Sequence, residues 1–200
     1  MRSGIEAVAA VTLFCGIVVT LLAQTSPAAA GQWTLPELMN ALHQSHSSSA
    51  RFVETRYLHL LNQAQESSGR LVYVAPDRLW KETIEPAAAR MTVIGDRLTI
   101  EQQGEKTRTI SLGDFSEIGA LVESVRATLA GDLPSLTRYY APAFDGSPDA
   151  WMLTLSPKDE RLRKLVTSIH IRGEGSSIRD IETIEPDGDR TDMAILPDTK

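Results

Sequence analysis

Cysteine is nearly missing from this sequence: its single copy, Cys15, sits inside an apolar stretch near the start. Thr12, Leu13 and Phe14 precede it, so no small-residue lipid-attachment box does. The apolar run from Ala7 to Ala23 follows the basic Arg2 and leads into the small-residue tract Ser26–Ala30. That order is the order of a secretory leader, with cleavage expected between Ala30 and Gly31. The alternative is an uncleaved membrane anchor, for which the run is near the lower length limit. Processing would leave no thiol, which excludes disulfides, thiolate catalysis and cysteine metal sites together. The expected division is therefore a signal segment over 1–30 and one mature domain over 31–200, held by its core alone.

Other absences are equally informative. No basic stripe stands out, and losing Arg2 and Glu6 with the leader leaves the net charge of −6 unchanged. Nucleic acid is thereby excluded as a partner, and mild acidity favours solubility. No G-x-S-x-G elbow, H-E-x-x-H helix, P-loop or G-x-G-x-x-G turn occurs. Histidine appears four times, at 43, 46, 59 and 170. His43 and His46 lie in a Ser-rich tract with no third ligand at a matching step, which reads as a solvated helix end rather than a metal site. Glu182, Glu185, Asp187, Asp189 and Asp192 make an acidic stretch without the spacing of a calcium-hand loop. It reads as a charged hairpin that blocks edge pairing. No metal, cofactor or catalytic residue is assigned.

What is present is a rhythm of short elements. Thr34 and Glu37 fit a capping box, Pro36 falls in the first turn, and Leu35, Leu38, Met39 and Leu42 form a helical stripe. Six strand-like runs follow: 51–61, 69–74, 78–84, 90–94, 97–102 and 106–112. Two to four turn residues separate most of them, which fits an antiparallel meander because parallel strands need long crossovers. Ile118, Leu121, Val122, Val125 and Leu129 then repeat at helical spacing up to Gly131, and Asp132 caps a second short helix. Strand signals return at 151–155, 165–172, 178–185 and 190–196, with Asp187-Gly188 as a hairpin turn. The expected class is α+β, with one large curved antiparallel sheet and a few helices.

Large apolar side chains keep to one parity: Leu71 with Tyr73, Met91 with Val93, Leu98 with Ile100, Trp151 with Leu153 and Leu155. One sheet face is then apolar and the other wet. Two or three helices, each about 10–12 Å across, are few for covering about ten strands. Either the sheet closes on itself or it leaves a lined hollow beneath the helices.

Several segments resemble the periplasmic outer-membrane lipoprotein carrier (LolA-like) family over almost all of 33–196. They are Arg51-Phe52-x-Glu54, Gly69-Arg-Leu-Val-Tyr-Val-Ala-Pro76, Leu79-Trp80-Lys81 up to Pro86, and Ile94-Gly95-Asp96-x-Leu98. Leu129-Ala-Gly-Asp132, Trp151-x-Leu-x-Leu-x-Pro157 and Asp187-Gly-Asp-x-Thr191 complete the set. The resemblance implies an incomplete barrel whose helices cover a concave apolar face that accepts acyl chains, with Leu79 near the mouth. It also implies departures. The family usually has Gln where this chain has Glu54, Trp where it has Lys81, and a lid-bonding Arg where it has Ala75. The nearest cations to that last position are Arg78 and Lys81. The pattern resembles a divergent branch working beside a lipid-exporting membrane pump.

The expected function is a periplasmic carrier, not an enzyme, that shields acyl chains of a lipoprotein or another lipid and moves it between inner and outer membrane. Its partners would be that cargo, an inner-membrane transporter and an outer-membrane acceptor, and the protein would be a monomer. Leu71, Tyr73, Leu79, Met91, Val93, Leu98, Ile100, Leu121 and Val125 are expected to line the hollow, an assignment by parity that a one-residue slip would invert. The alternative is an accessory subunit of a lipid-exporting pump that carries nothing itself. A third reading, a lipid hydrolase, would need Ser111 or Ser156 beside a histidine.

Overall fold

The structure is a computed structural model that describes residues 31–60 and 63–198. The expected leader, with Cys15, lies outside the described residues. Helix α1, Leu35–His43, begins as its sequence foretells: Glu37 accepts hydrogen bonds from the Thr34 backbone N–H at 2.7 Å and from the Thr34 hydroxyl at 2.8 Å. Eleven strands follow, interrupted by helices. Strands β1 (Ser47–Tyr57), β2 (Gln65–Val74), β3 (Arg78–Glu85), β4 (Ala89–Ile94), β5 (Arg97–Gln102) and β6 (Arg108–Ser111) form the expected meander. Helices α2 (Ser116–Ala130) and α3 (Leu133–Tyr139) come next. Strands β7 (Tyr140–Ser147) and β8 (Ala150–Pro157), helix α4 (Glu160–Arg163), and strands β9 (Ser168–Glu174), β10 (Ser177–Ile184) and β11 (Arg190–Pro197) complete the chain.

All eleven strands make one antiparallel sheet, in the order β6-β5-β4-β3-β2-β1-β11-β10-β9-β8-β7. Strand β7 has no counterpart in the sequence reading, because Pro142 and Gly146 interrupt its apolar alternation. Residues 165–167, read as strand, instead follow the short helix α4. The acidic β10–β11 hairpin is not at an edge, because β11 returns to pair with β1 and β10 pairs with β9. The edges are β6 and β7, so the hairpin's charge does not serve to block edge pairing.

The sheet is open yet strongly curled. Eight strand spacings, about 38 Å if flat, separate β4 from β7. Helix α2 nonetheless touches both regions within a single turn. Arg126 Nη1 donates to the Gly95 carbonyl in the β4–β5 turn at 3.0 Å. Ser124 lies beside the buried Tyr140 at the start of β7. Two residues along a helix advance only about 3 Å, so the sheet must bring its two ends toward α2. The result is an incomplete barrel with a helix laid across its gap.

Two apolar clusters form on the helix-covered face. The larger joins α1 (Leu38, Met39, Leu42), α2 (Ala120, Ala127), α3 (Leu136) and the inner residues of β8 and β9, Trp151, Leu153, Leu155, Ile169 and Ile171. The smaller joins Val93, Leu98 and Leu112 with Leu79, Ile100, Ile110, Ile118 and Val122. The most deeply buried positions of α2 are Ala120, Ser124, Ala127 and Thr128 rather than the expected Ile118–Leu129 stripe. Small side chains permit close helix crossings: a Cβ on Gly131, which ends α2 at φ 65°, would lie 2.0 Å from the Met39 carbonyl oxygen.

Candidate functional site

Antiparallel pairing places directly opposed residues on one face, so the registers define the rows of the inner surface. One row runs Tyr73, Leu79, Val93, Leu98 and Ile110 across five strands. It underlies the start of α2, where Ile118 and Val122 pack on it. The next row runs Ala50, Leu71, Lys81, Met91, Ile100 and Arg108. Leu71 and Met91 belong to neither apolar cluster, and Met91 is 42% exposed. The part of this row around Leu71, Lys81 and Met91 is therefore a strip of inner face outside the packed clusters, whereas Ile100 packs on the smaller one.

The strands thus bring the seven predicted strand residues to one face, with the parity expected. Tyr73, Val93 and Leu98 are fully buried there, and Leu71, Leu79 and Ile100 are half-buried. On α2, Leu121 packs against the larger cluster and Val125 is half-buried.

A charge pair stands in the uncovered strip. Lys81 Nζ lies 2.6 Å from Glu54 Oε2, with the side chains 26% and 19% exposed. The Ser67 hydroxyl donates to Glu54 Oε1 at 3.3 Å, and the Lys81 ammonium stands 4.8 Å from the centre of the Phe52 ring. Glu54 is on β1 and Lys81 on β3, so the contact spans β2. It passes over Gly69, which faces Phe52 across β1–β2. A Cβ at Gly69 would lie 1.8 Å from the Glu82 carbonyl oxygen and 3.0 Å from the Phe52 ring. The register shift between Ser68 and Gly69 on β2 belongs to the same close approach. Glu54 and Lys81 are two of the positions at which the sequence departs from the carrier pattern, and they depart together.

At the third departure, Ala75, the side chain has no charge to offer a helix. The cation that the resemblance places before Pro76 is absent, while Arg126 reaches from the helix to the barrel and bonds Gly95. Arg126 also lies near Tyr73: burial pushes the Tyr73 phenol up from its ordinary value, and the guanidinium opposes that shift. Sequence reading missed Arg126, because a lone Arg on a helix looks like a solvated one. The Glu54–Lys81 contact was missed because it depends on the register of three strands.

Elsewhere His43, His170 and Ser111 have polar partners of their own. His43 Nδ1 lies 2.9 Å from the Ala130 carbonyl, tying the end of α1 to the end of α2. His170 lies between Thr154 and Ser168 on the outer face. The Ser111 hydroxyl donates to Asp96 at 2.5 Å, not to a histidine. Carboxylate oxygens of Glu185, Asp187 and Asp189 gather within 4.8 Å of one another, with Arg56 at 3.5 Å from both Glu185 and Asp189. Among the described residues no helix is long and apolar enough to cross a membrane.

Comparison with known proteins gives a family and distant structural likenesses. The family model described as outer membrane lipoprotein carrier protein LolA-like matches residues 23–196. No curated protein matches the sequence. A LolA superfamily protein from Nitrosomonas europaea is similar at 10% identity and TM-score 0.42, over 84% of this chain and 96% of that one. The MucA/MucB complex of Pseudomonas aeruginosa is similar at 11% identity and TM-score 0.42, over 82% of this chain and 56% of that one.

Proposed function

This chain belongs to the outer membrane lipoprotein carrier protein LolA-like family, and from that membership we propose that it is a periplasmic carrier of acylated cargo. In this reading it shields the acyl chains of a lipoprotein or another lipid while the cargo passes from the inner to the outer membrane. The observation that carries the reading is the uncovered apolar strip around Leu71 and Met91, beside a helix that bridges the gap of an open barrel. Each acyl methylene left in water costs about 0.8 kcal/mol, so one long chain costs on the order of 10 kcal/mol to move unshielded. Docking on the strip, and parting α2 from the Tyr73–Ile110 row beneath it, would supply the dry surface that offsets most of this. Direction would come from the differing affinities of a membrane transporter that donates cargo and an acceptor that takes it. The residues proposed to meet the acyl chain are Leu71 and Met91 first. Tyr73, Leu79, Val93, Leu98, Ile100, Leu121 and Val125 join them once the helix has moved.

The second reading, an accessory subunit of a lipid-exporting pump that carries nothing, draws on a different observation. The β7–β10 half of the inner face is filled by the protein's own side chains, with Leu38, Leu136, Tyr140 and Leu153 wholly buried. One experiment separates the two. Protein purified without detergent is analysed for bound lipid by mass spectrometry, then titrated with a neutral fluorescent dye that brightens in apolar surroundings. Co-purifying lipid and saturable dye uptake are expected of a carrier. Neither would be seen with an accessory subunit, and their joint absence sinks the carrier reading.

A further inference from the structure

The Glu54–Lys81 pair stands in the strip of inner face that lies outside the packed clusters. Leu71 lies beside Lys81 on β2, Met91 beside it on β4, and Met193 beside Glu54 on β11. An acyl chain laid along this strip covers the pair. A tail with a neutral head would strip water from both charges and return nothing to them. A purely anionic head could take the Lys81 ammonium, but it would strand the Glu54 carboxylate under the tail with only the Ser67 hydroxyl for company. A head bearing both charges answers each: its anion meets Lys81 and its ammonium meets Glu54. The partial exposure of both side chains leaves the pair free to part, and Lys81 has its own flexible stem to swing on. The Phe52 ring below Lys81 offers a π face to the Lys81 ammonium.

Resting on the carrier reading, we infer that Glu54 and Lys81 form a head-group subsite for a zwitterionic amphiphile, an acyl lipid carrying one phosphate and one ammonium. The subsite selects cargo by head, while the strip and the rows beneath α2 hold the tail without selecting among tails.

The test is displacement of the neutral dye phenylnaphthylamine from the purified protein by three single-chain lipids of equal chain length. These are lysophosphatidylethanolamine (zwitterion), lysophosphatidic acid (anion) and monoacylglycerol (neutral). The zwitterion is expected to bind about tenfold more tightly than either of the others. Lys81→Met and Glu54→Gln should each bring it to within about threefold of the neutral lipid measured on the same variant. The exchanged double variant Glu54→Lys with Lys81→Glu keeps a pair in place, so it should fold and retain the preference for the zwitterion. Equal binding of all three heads by the parent protein overturns the inference while leaving the carrier reading intact. Tightest binding by the anion, or a preference that survives in both single variants, overturns it as well. Failure to take up dye or any lipid overturns the carrier reading and this inference with it.

Discussion

Lys81 Nζ stands 2.6 Å from Glu54 Oε2, a contact that joins two strands separated by a third. It passes over Gly69, where an added Cβ would meet the Glu82 carbonyl and the Phe52 ring. Single and double substitutions should reveal the coupling. Glu54→Gln and Lys81→Met leave one charge half-buried without its partner, and each is expected to destabilise by about 1–2 kcal/mol in urea unfolding. The double variant Glu54→Gln with Lys81→Met leaves no charge stranded. It should lose less than the sum of the singles, by about 1 kcal/mol. Strict additivity would mean that the two side chains are independent.

Gly69→Ala tests the same place through the backbone. The added carbon would meet the Glu82 carbonyl at 1.8 Å, a clash with main chain rather than with a movable side chain. A loss of about 2–3 kcal/mol is expected in thermal or urea unfolding. Gly175→Ala serves as a comparison at a glycine with open space around it, though its φ of 53° adds strain of its own. An alanine at 69 as stable as the parent would require a different β2–β3 register.

Much of this fold was legible in the sequence. Leu71 with Tyr73 and Met91 with Val93 do share the inner face, because period-2 alternation is fixed by the pleat. Strand β7 was hidden, because its inner positions include Pro142 and Gly146, which carry no strand signal. The buried edge of α2 was hidden for a related reason: Ala120 and Ala127 announce nothing about contact, whereas Leu and Ile do. The site was legible only in part. Glu54, Lys81 and Ala75 each stand out singly against the carrier pattern. That two of them touch, and that Arg126 ties α2 to Gly95, depends on distances no one-dimensional pattern contains.

Arg126→Met removes the hydrogen bond from α2 to Gly95 while keeping the aliphatic stem. The helix should stay folded but open more often. Amide hydrogen exchange across Ile118–Val125 is expected to speed about tenfold, and release of bound dye with it. Slower exchange in the β8–β9 core should be unaffected. If exchange in α2 does not change, the helix is held by its apolar contacts alone and Arg126 is not a latch.

Acid should weaken one specific cap. The side chain of Ser135, and then its backbone N–H, hold the Asp132 carboxyl below its ordinary value, and Asp132 Oδ1 accepts from the Ser135 N–H at 3.1 Å. A depressed carboxylate contributes stability that is present above the unfolded value near 4 and lost as pH falls through the folded value. Asp132→Ala is therefore expected to cost about 0.5–1 kcal/mol at pH 7. The gap between parent and variant should shrink steadily below pH about 4. A gap independent of pH would mean that the carboxylate's charge plays no part in the cap.

Leu79 and Met91 oppose adjacent rows of one surface and should answer the same substitution differently. Leu79 is wedged between Tyr73 and Val93 in the packed row beneath α2. A glutamate there puts a charge into the smaller cluster, and Leu79→Glu should lower unfolding stability by about 3 kcal/mol or more. Met91 lies in the uncovered strip, where a glutamate side chain can reach water. Met91→Glu should therefore change stability by under about 1 kcal/mol while weakening dye and lipid uptake severalfold. Uptake unchanged in Met91→Glu would remove the strip as the point of entry, and cargo would then have to enter from beneath α2 at the Arg126–Gly95 end.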